Sequence, residues 1–264
     1  MNLSSPLVLP NGAVVPNRIG KAAMEENMCD ANHAPSTELL KLYEAWAQGG
    51  AGLLITGNVM VDRRGMTGPG GVVLEDAAHL DRFKQWAQIA RARGAQVWMQ
   101  ISHPGRQMMA ALGQETWSAS AVPLDMGKLS DKFSVPKAMT AADIEELQQR
   151  FVTSALLAEQ AGFTGVQIHG AHGYLIQAFL SPIANKRNDR YGGDLAGRMR
   201  FALEVTEAVR AAWPADLPLF FRISAVDGTA EAVERPQDPR RDVRATLLGA
   251  LKLVVVGVPL GPDL

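Results

Sequence analysis

Largely apolar runs alternate with amphipathic stretches of helical period along most of this chain, and few folds accommodate that order. The runs are Gly52–Val61, Gln96–Ile101, Gly165–His169 and Leu217–Ser224, with a short extended segment at Arg18–Ala23 ahead of them. Continuous apolar runs suit strands covered on both faces. The stretches between are Ser36–Gly49, Ala77–Arg93, Thr140–Gln160 and Leu195–Trp213. In the first, Leu39, Leu42, Tyr43 and Trp46 recur at helical spacing; in the second, Leu80, Phe83, Trp86, Ala87 and Ala90 do. Their ends are marked as well. Ser36 opens the first and Gly49-Gly50 closes it, Gly94 closes the second, and Thr140 with Asp143 opens the third as a capping-box variant. Asn11-Gly12, between two short extended pieces within Leu3–Pro16, signals a hairpin, because both residues tolerate positive φ.

Strand–helix alternation predicts a parallel sheet with helices outside it. A doubly wound sheet and a closed barrel share that pattern. Two features favour the barrel. No strand leads into a Gly-x-Gly-x-x-Gly phosphate loop. Polar residues also cluster at the ends of several strands: Gln100 and His103, His169 and His172, and Arg222. In a barrel those ends converge on one face, where active sites lie. A length of 264 residues fits one such barrel. Ser102–Ala138 exceeds a simple connection and is read as a binding loop or lid.

The charge balance narrows the function classes. The formal net charge is -1 and no block of like charge occurs, which argues against nucleic acid and anionic membrane partners. One cysteine, Cys29, excludes an internal disulfide and any multi-cysteine metal site. Met1–Pro16 has no basic segment followed by an apolar core, and no apolar run approaches the roughly 20 residues of a membrane span. A cytoplasmic protein is expected.

His169 and His172 stand three apart where a strand runs into a turn. Two nitrogens aimed at one point can hold a carbonyl oxygen and stabilise charge developing on it. The rival reading is a metal pair, which would need further ligands, and no acidic residue lies at a metal-motif spacing nearby. Tyr174 brings an acidic hydroxyl next to the pair. The surrounding string, His169-Gly-Ala-His172-Gly-Tyr174-Leu-Ile-Gln-Ala-Phe-Leu-Ser-Pro182 through Asn185, Arg187, Asp189, Arg190, Tyr191, Gly192 and Gly193 to Arg198, resembles the signature of the old yellow enzyme family of FMN-dependent ene-reductases. Asn17-Arg18-Ile19, Gln100-Ile-Ser-His103-Pro-Gly-Arg106 and Arg222-Ile-Ser match in the same order, so the resemblance covers about five-sixths of the chain.

The resemblance implies a TIM (β/α)8-type barrel carrying FMN, with NAD(P)H as reductant and a small activated alkene as substrate. His169 and His172 would bind the carbonyl of an α,β-unsaturated compound, and Tyr174 would give a proton to its α-carbon. Gln100 and Arg222 would contact the flavin's pyrimidine edge, Arg222 stabilising the reduced anion. Ala23 and Met24 would pass under the ring, and Gly57 would be the small residue near it. The resemblance leaves the physiological alkene, NADH against NADPH, and assembly into a homo-oligomer open.

The sequence departs from the family in two places. One bacterial branch has a Cys directly after the position of Met24 and a Tyr two residues later; this chain has Glu25 and Asn27. A carboxylate there would disfavour an anionic reduced flavin. The second departure is the C-terminal end. Five strands are used by Ser224 and only about forty residues follow. Residues 1–227 therefore read as the N-terminal part of the barrel. Residues 228–264 read as an atypical tail without the family's phosphate site, in which Ala245–Val258 is apolar enough for a helix and a short strand. The expectation is a truncated, incomplete barrel of about five βα units. Two rival readings follow: a non-catalytic fragment that does not retain flavin, and a metal-dependent barrel hydrolase built on His169 and His172.

Overall fold

A computed structural model describes residues 2–224 and the backbone of 254–257. The hairpin signal is realised as β1 (Leu7–Val8) and β2 (Val14–Val15), paired antiparallel with Gly12 at positive φ between them. Then come β3 (Gly20–Lys21), α1 (Thr37–Gln48), β4 (Leu53–Met60), β5 (Val72–Val73), α2 (Leu80–Arg91) and β6 (Gln96–Ser102). The long insertion holds β7 (Trp117–Ser118), β8 (Lys137–Ala138) and two 3-10 turns. After it follow α3 (Ala141–Gln160), β9 (Gly165–Gly170), α4 (Leu175–Leu180), α5 (Leu195–Ala212), β10 (Leu219–Ser224) and β11 (Val254–Gly257).

The main sheet has the order β11-β10-β9-β6-β4-β3, every neighbouring pair parallel, with β5 added alongside β4. It curls as part of a (β/α) barrel. The helices begin where the sequence places their caps. Ser36 Oγ accepts the Leu39 N–H at 3.1 Å, Thr140 and Asp143 form a reciprocal capping box, and Asp194 accepts the Gly197 N–H at 2.8 Å.

Alternation along the strands divides the core. One set of side chains, among them Val97, Met99, Ile101, Val166, Ile168, Phe221 and Ile223, packs against Phe83, Trp86, Phe151 and Phe201 of the helices. The other set faces the concave side. There Ile55, Trp98 and Phe220 meet Leu9 and Val15 of the hairpin, and the Trp98 and Phe220 rings stack at 3.8 Å. The hairpin thus plugs the N-terminal mouth of the barrel. Gln96 Nε2 donates to Val14 O and Asn11 Nδ2 to Asp216 O, which hold it there.

Three expectations need correction. The first barrel strand is only Gly20–Lys21, and the second helix starts at Leu80, after a turn in which the Leu80 N–H donates to Ala77 O at 3.2 Å. The short helix α4 was hidden inside the signature string. Beyond β10 the sheet carries one further strand, β11, which pairs with β10 from Phe221–Val254 to Ser224–Gly257. That strand falls inside the apolar stretch Ala245–Val258. The rest of the tail after Gly228, and the boundary at Asp227, lie outside the described residues.

The Ser102–Ala138 insertion is pinned to the rim of the sheet. Arg187 Nη1 donates to Ala119 O at 2.9 Å and to Met139 O at 2.6 Å. Trp117 lies parallel to the His103 ring at 6.5 Å.

Candidate active site

The site forms where β4, β6, β9 and β10 end. His169 is the penultimate residue of β9 and is buried. The chain then turns sharply through His172 and Gly173, whose φ values of 58° and 74° are both left-handed. Only the second is a glycine, so His172 carries backbone strain. Its N–H donates to Ser224 Oγ at 2.9 Å, and the Gly173 N–H donates to Gln177 Oε1 at 2.8 Å. This turn folds two rings back over His169: His172 at 5.1 Å and Tyr174 at 4.9 Å between centroids, both edge-on.

Protonation follows from partners. His169 Nδ1 lies 3.2 Å from the Ala171 N–H, which has only its proton to offer. Nδ1 is therefore the acceptor and the ring proton sits on Nε2. Burial, with Arg222 and His172 nearby, holds His169 well below the usual histidine value. Burial and then Arg222 lower His172 as well. The phenol of Tyr174 is pushed up to about 12, first by burial and next by the charge of Glu25. Two neutral imidazoles and a protonated phenol meet at one point.

A chain of hydrogen bonds runs beside them. Arg222 Nη1 donates to Gln100 Oε1 at 3.1 Å, Gln100 Nε2 to Asn58 Oδ1 at 2.8 Å, and Asn58 Nδ2 to Glu25 Oε2 at 3.4 Å. Asn58 reaches this place through a β-bulge. The β4–β6 register shifts between Ile55 and Asn58, and Thr56 Oγ1 fills the gap by accepting the Gln100 N–H at 3.0 Å and donating to Gly57 O at 2.8 Å. Without the extra residue, Asn58 would face the helices.

The segment after β3 crosses β4 at Gly57. A side chain there would collide with Met24 O and with Glu26 Oε2, so the glycine is explained by this crossing. Below it Glu26 is locked: Lys21 Nζ lies at 2.9 Å, Tyr43 Oη donates to it at 2.6 Å, and the Gly57 N–H donates at 3.1 Å. Ala23 packs against the inner cluster around Trp98, while Met24 is 53% exposed on the rim.

The structure thus brings His169, His172 and Tyr174 together, joins Gln100 to Arg222, sets Met24 against Gly57, and packs Ala23 against the inner cluster. Sequence reasoning missed Asn58, although a lone amide at the end of an apolar run was a visible sign. It saw Glu25 only as a departure. Among the described residues no three His, Cys, Asp or Glu side chains gather as a metal site, and no helix is long and apolar enough to cross a membrane.

Comparison places this arrangement first in a fold class. An old yellow enzyme homologue from Zymomonas mobilis superimposes with a TM-score of 0.88 at 24% identity, over 98% of this chain and 74% of that one. The fold is that of a TIM barrel. The family model described as NADH:flavin oxidoreductase / NADH oxidase matches residues 2–245, and the chain belongs to that family. It is 40% identical over 206 residues to the NADH-dependent flavin oxidoreductase nadA of Aspergillus parasiticus, covering 74% of this chain and 46% of that protein. It is 38% identical over 226 residues to an NADPH dehydrogenase of Geobacillus, covering 85% and 64%. The chain thus spans about half the length of the curated relatives it matches.

The family uses FMN with NAD(P)H. The residues present fit the ring of that group. After the bonds above, the Gln100 amide keeps one N–H and one acceptor position, as a donor–acceptor edge requires. Arg222 is half-buried beside it, its charge disfavoured by burial.

Proposed function

We propose that this chain carries the catalytic half of an ene-reductase that reduces the C=C bond of α,β-unsaturated carbonyl compounds at the expense of NAD(P)H. The observation that supports it most is the meeting of His169, His172 and Tyr174 in their neutral, donor-bearing forms. Bound FMN would supply the hydride for the β-carbon. Hydride addition there leaves negative charge on the carbonyl oxygen. His169 Nε2–H and the His172 ring donate to that oxygen and stabilise the charge. Tyr174 Oη holds the proton that the α-carbon takes up, a role general acids fill with a factor of about 100 to 10,000. Gln100 and Arg222 would orient the ring's pyrimidine edge, with Ala23 and Met24 beneath it. Hydrolysis at a metal centre has no observation in its favour.

Phenolates mimic the substrate oxygen. In a version of the chain extended to a complete barrel, replacing His169 and His172 together with Ala should weaken phenol binding at least about tenfold, since two hydrogen bonds to a charged oxygen are lost. Titration of the flavin spectrum reads this, and an unchanged phenol affinity would remove the pair from the clamp role.

A further inference from the structure

The left-handed backbone of His172 is held on both sides by side chains from other strand ends. Its N–H donates to Ser224 Oγ at 2.9 Å, from the last residue of β10. Its carbonyl oxygen accepts from Gln107 Nε2, in the first turn of the insertion after β6. Two close approaches put Gln107 there. The Leu175 N–H donates to His103 O at 3.1 Å and draws the two turns together. A Cβ at Gly105 would fall 2.8 Å from Leu175 Cα, and one at Gly173 would fall 2.6 Å from Gln107 Nε2, so the turns touch where neither position carries a side chain. An L-residue in the left-handed region costs about as much as one or two hydrogen bonds contribute in net terms. The two bonds to His172 therefore offset its strain, with little to spare.

We propose that Gln107 and Ser224 are positioning residues that hold His172 in its left-handed conformation and so keep its ring beside that of His169. The inference rests on the reading of the two histidines as a carbonyl clamp, and it deepens that reading by naming what sets the second arm. The ring direction follows the backbone. With φ at 58° the chain reverses and the His172 ring folds back to 5.1 Å from that of His169. Relaxation to an extended φ would swing the Cα–Cβ bond and take the ring off that line. A clamp acts only if both donors already point at the oxygen before charge develops on it. Gln107 is half-buried and gives His172 a side-chain bond rather than core packing, so its loss leaves the sheet intact. The insertion is thereby tied to the chemistry as well as to the rim: its first turn supplies one of the two holds on a clamp residue.

The test needs no flavin. The chain has five histidines, His33, His79, His103, His169 and His172. Histidine labelled with carbon-13 at Cε1 gives five resonances, and His172→Asn assigns one of them. In the parent chain burial and then Arg222 hold the His172 ring below the usual histidine value. In Gln107→Met, which keeps the side chain's length but cannot donate, hydrogen exchange at the His172 amide should quicken about tenfold, the effect of one lost hydrogen bond. The His172 titration midpoint should rise towards the usual value of about 6.5 as the ring leaves its wall and Arg222. The His33, His79 and His103 resonances should stay in place and show that the variant is folded. Ser224→Ala should act in the same direction, and Ser224→Thr, which keeps the hydroxyl, should restore both readings. An unmoved His172 midpoint in folded Gln107→Met overturns the proposal, because a bond that merely joins two turns would leave the ring where it is. Should that variant not fold, Ser224→Ala set against Ser224→Thr decides in the same way, and equal midpoints there overturn it. Because exchange and imidazole titration are independent of alkene reduction, a failed hold on the backbone is distinguishable from a failed assignment of the clamp.

Discussion

At the scale of single residues, the site is defined by which protons are held and where. His103 and His169 are buried and neutral, and burial brings His103 down to about 4. In the unfolded chain each returns to a value near 6.5. Below that pH the unfolded chain binds protons that the folded chain refuses, so stability falls as pH drops and recovers as it rises. For His103 the window runs from about 6.5 down to about 4, and about 3 kcal/mol is lost across it. Urea midpoints at pH 7 and pH 5.5 should therefore differ, and His103→Asn should shrink the difference. An equal drop in both proteins would show that His103 is not the group responsible. The residues that bind each other directly were legible in the sequence where a string of chemistry marked them, as from His169 to Tyr174. Asn58 and Glu25 were not, because their roles exist only where segments 33 residues apart touch.

At the scale of elements, periodicity and caps carried most of the reading. The boundaries of α1 and α3 follow from Ser36 and Thr140, whose side chains bond the first turn. Thr140→Ala should lower stability by about 1 kcal/mol, seen as a lower urea midpoint with an unchanged slope. No change would mean that packing rather than the cap fixes the start of α3. What the pattern could not show is the bulge at Thr56–Gly57. A strand read by alternation places Gly57, not Asn58, on the concave face. The extra residue is set by the segment crossing at Gly57 and by Thr56 completing the ladder, both tertiary events. The short α4 escaped for a related reason: six buried residues in a row show no amphipathic period.

At the scale of the whole molecule, ring contacts and cofactor retention separate. Gln100, Arg222, Ala23 and Met24 offer orientation to a flavin ring, whereas barrels of this type hold a phosphate at the ends of their seventh and eighth strands, which are not among the described residues. A phosphate of about two charges draws strong charge-assisted bonds, so the chain alone should bind FMN weakly. Fluorescence quenching of FMN should show a dissociation constant well above the micromolar range; stoichiometric binding near or below it would contradict this. The pairing of the sheet has a further consequence, one of time. The hairpin joins residues as near as Leu7 and Val15, but partners on neighbouring barrel strands stand 33 residues apart at Gly20–Leu53 and 67 apart at Trp98–Gly165. Each such ladder must close a long loop before it gains a single contact, and chains built this way fold slowly. While the search lasts, strands such as Leu53–Met60 are unburied and can meet another copy as readily as their own partner. The yield of this protein is therefore set by a race between those two encounters, and cooler, more dilute synthesis favours the intramolecular one.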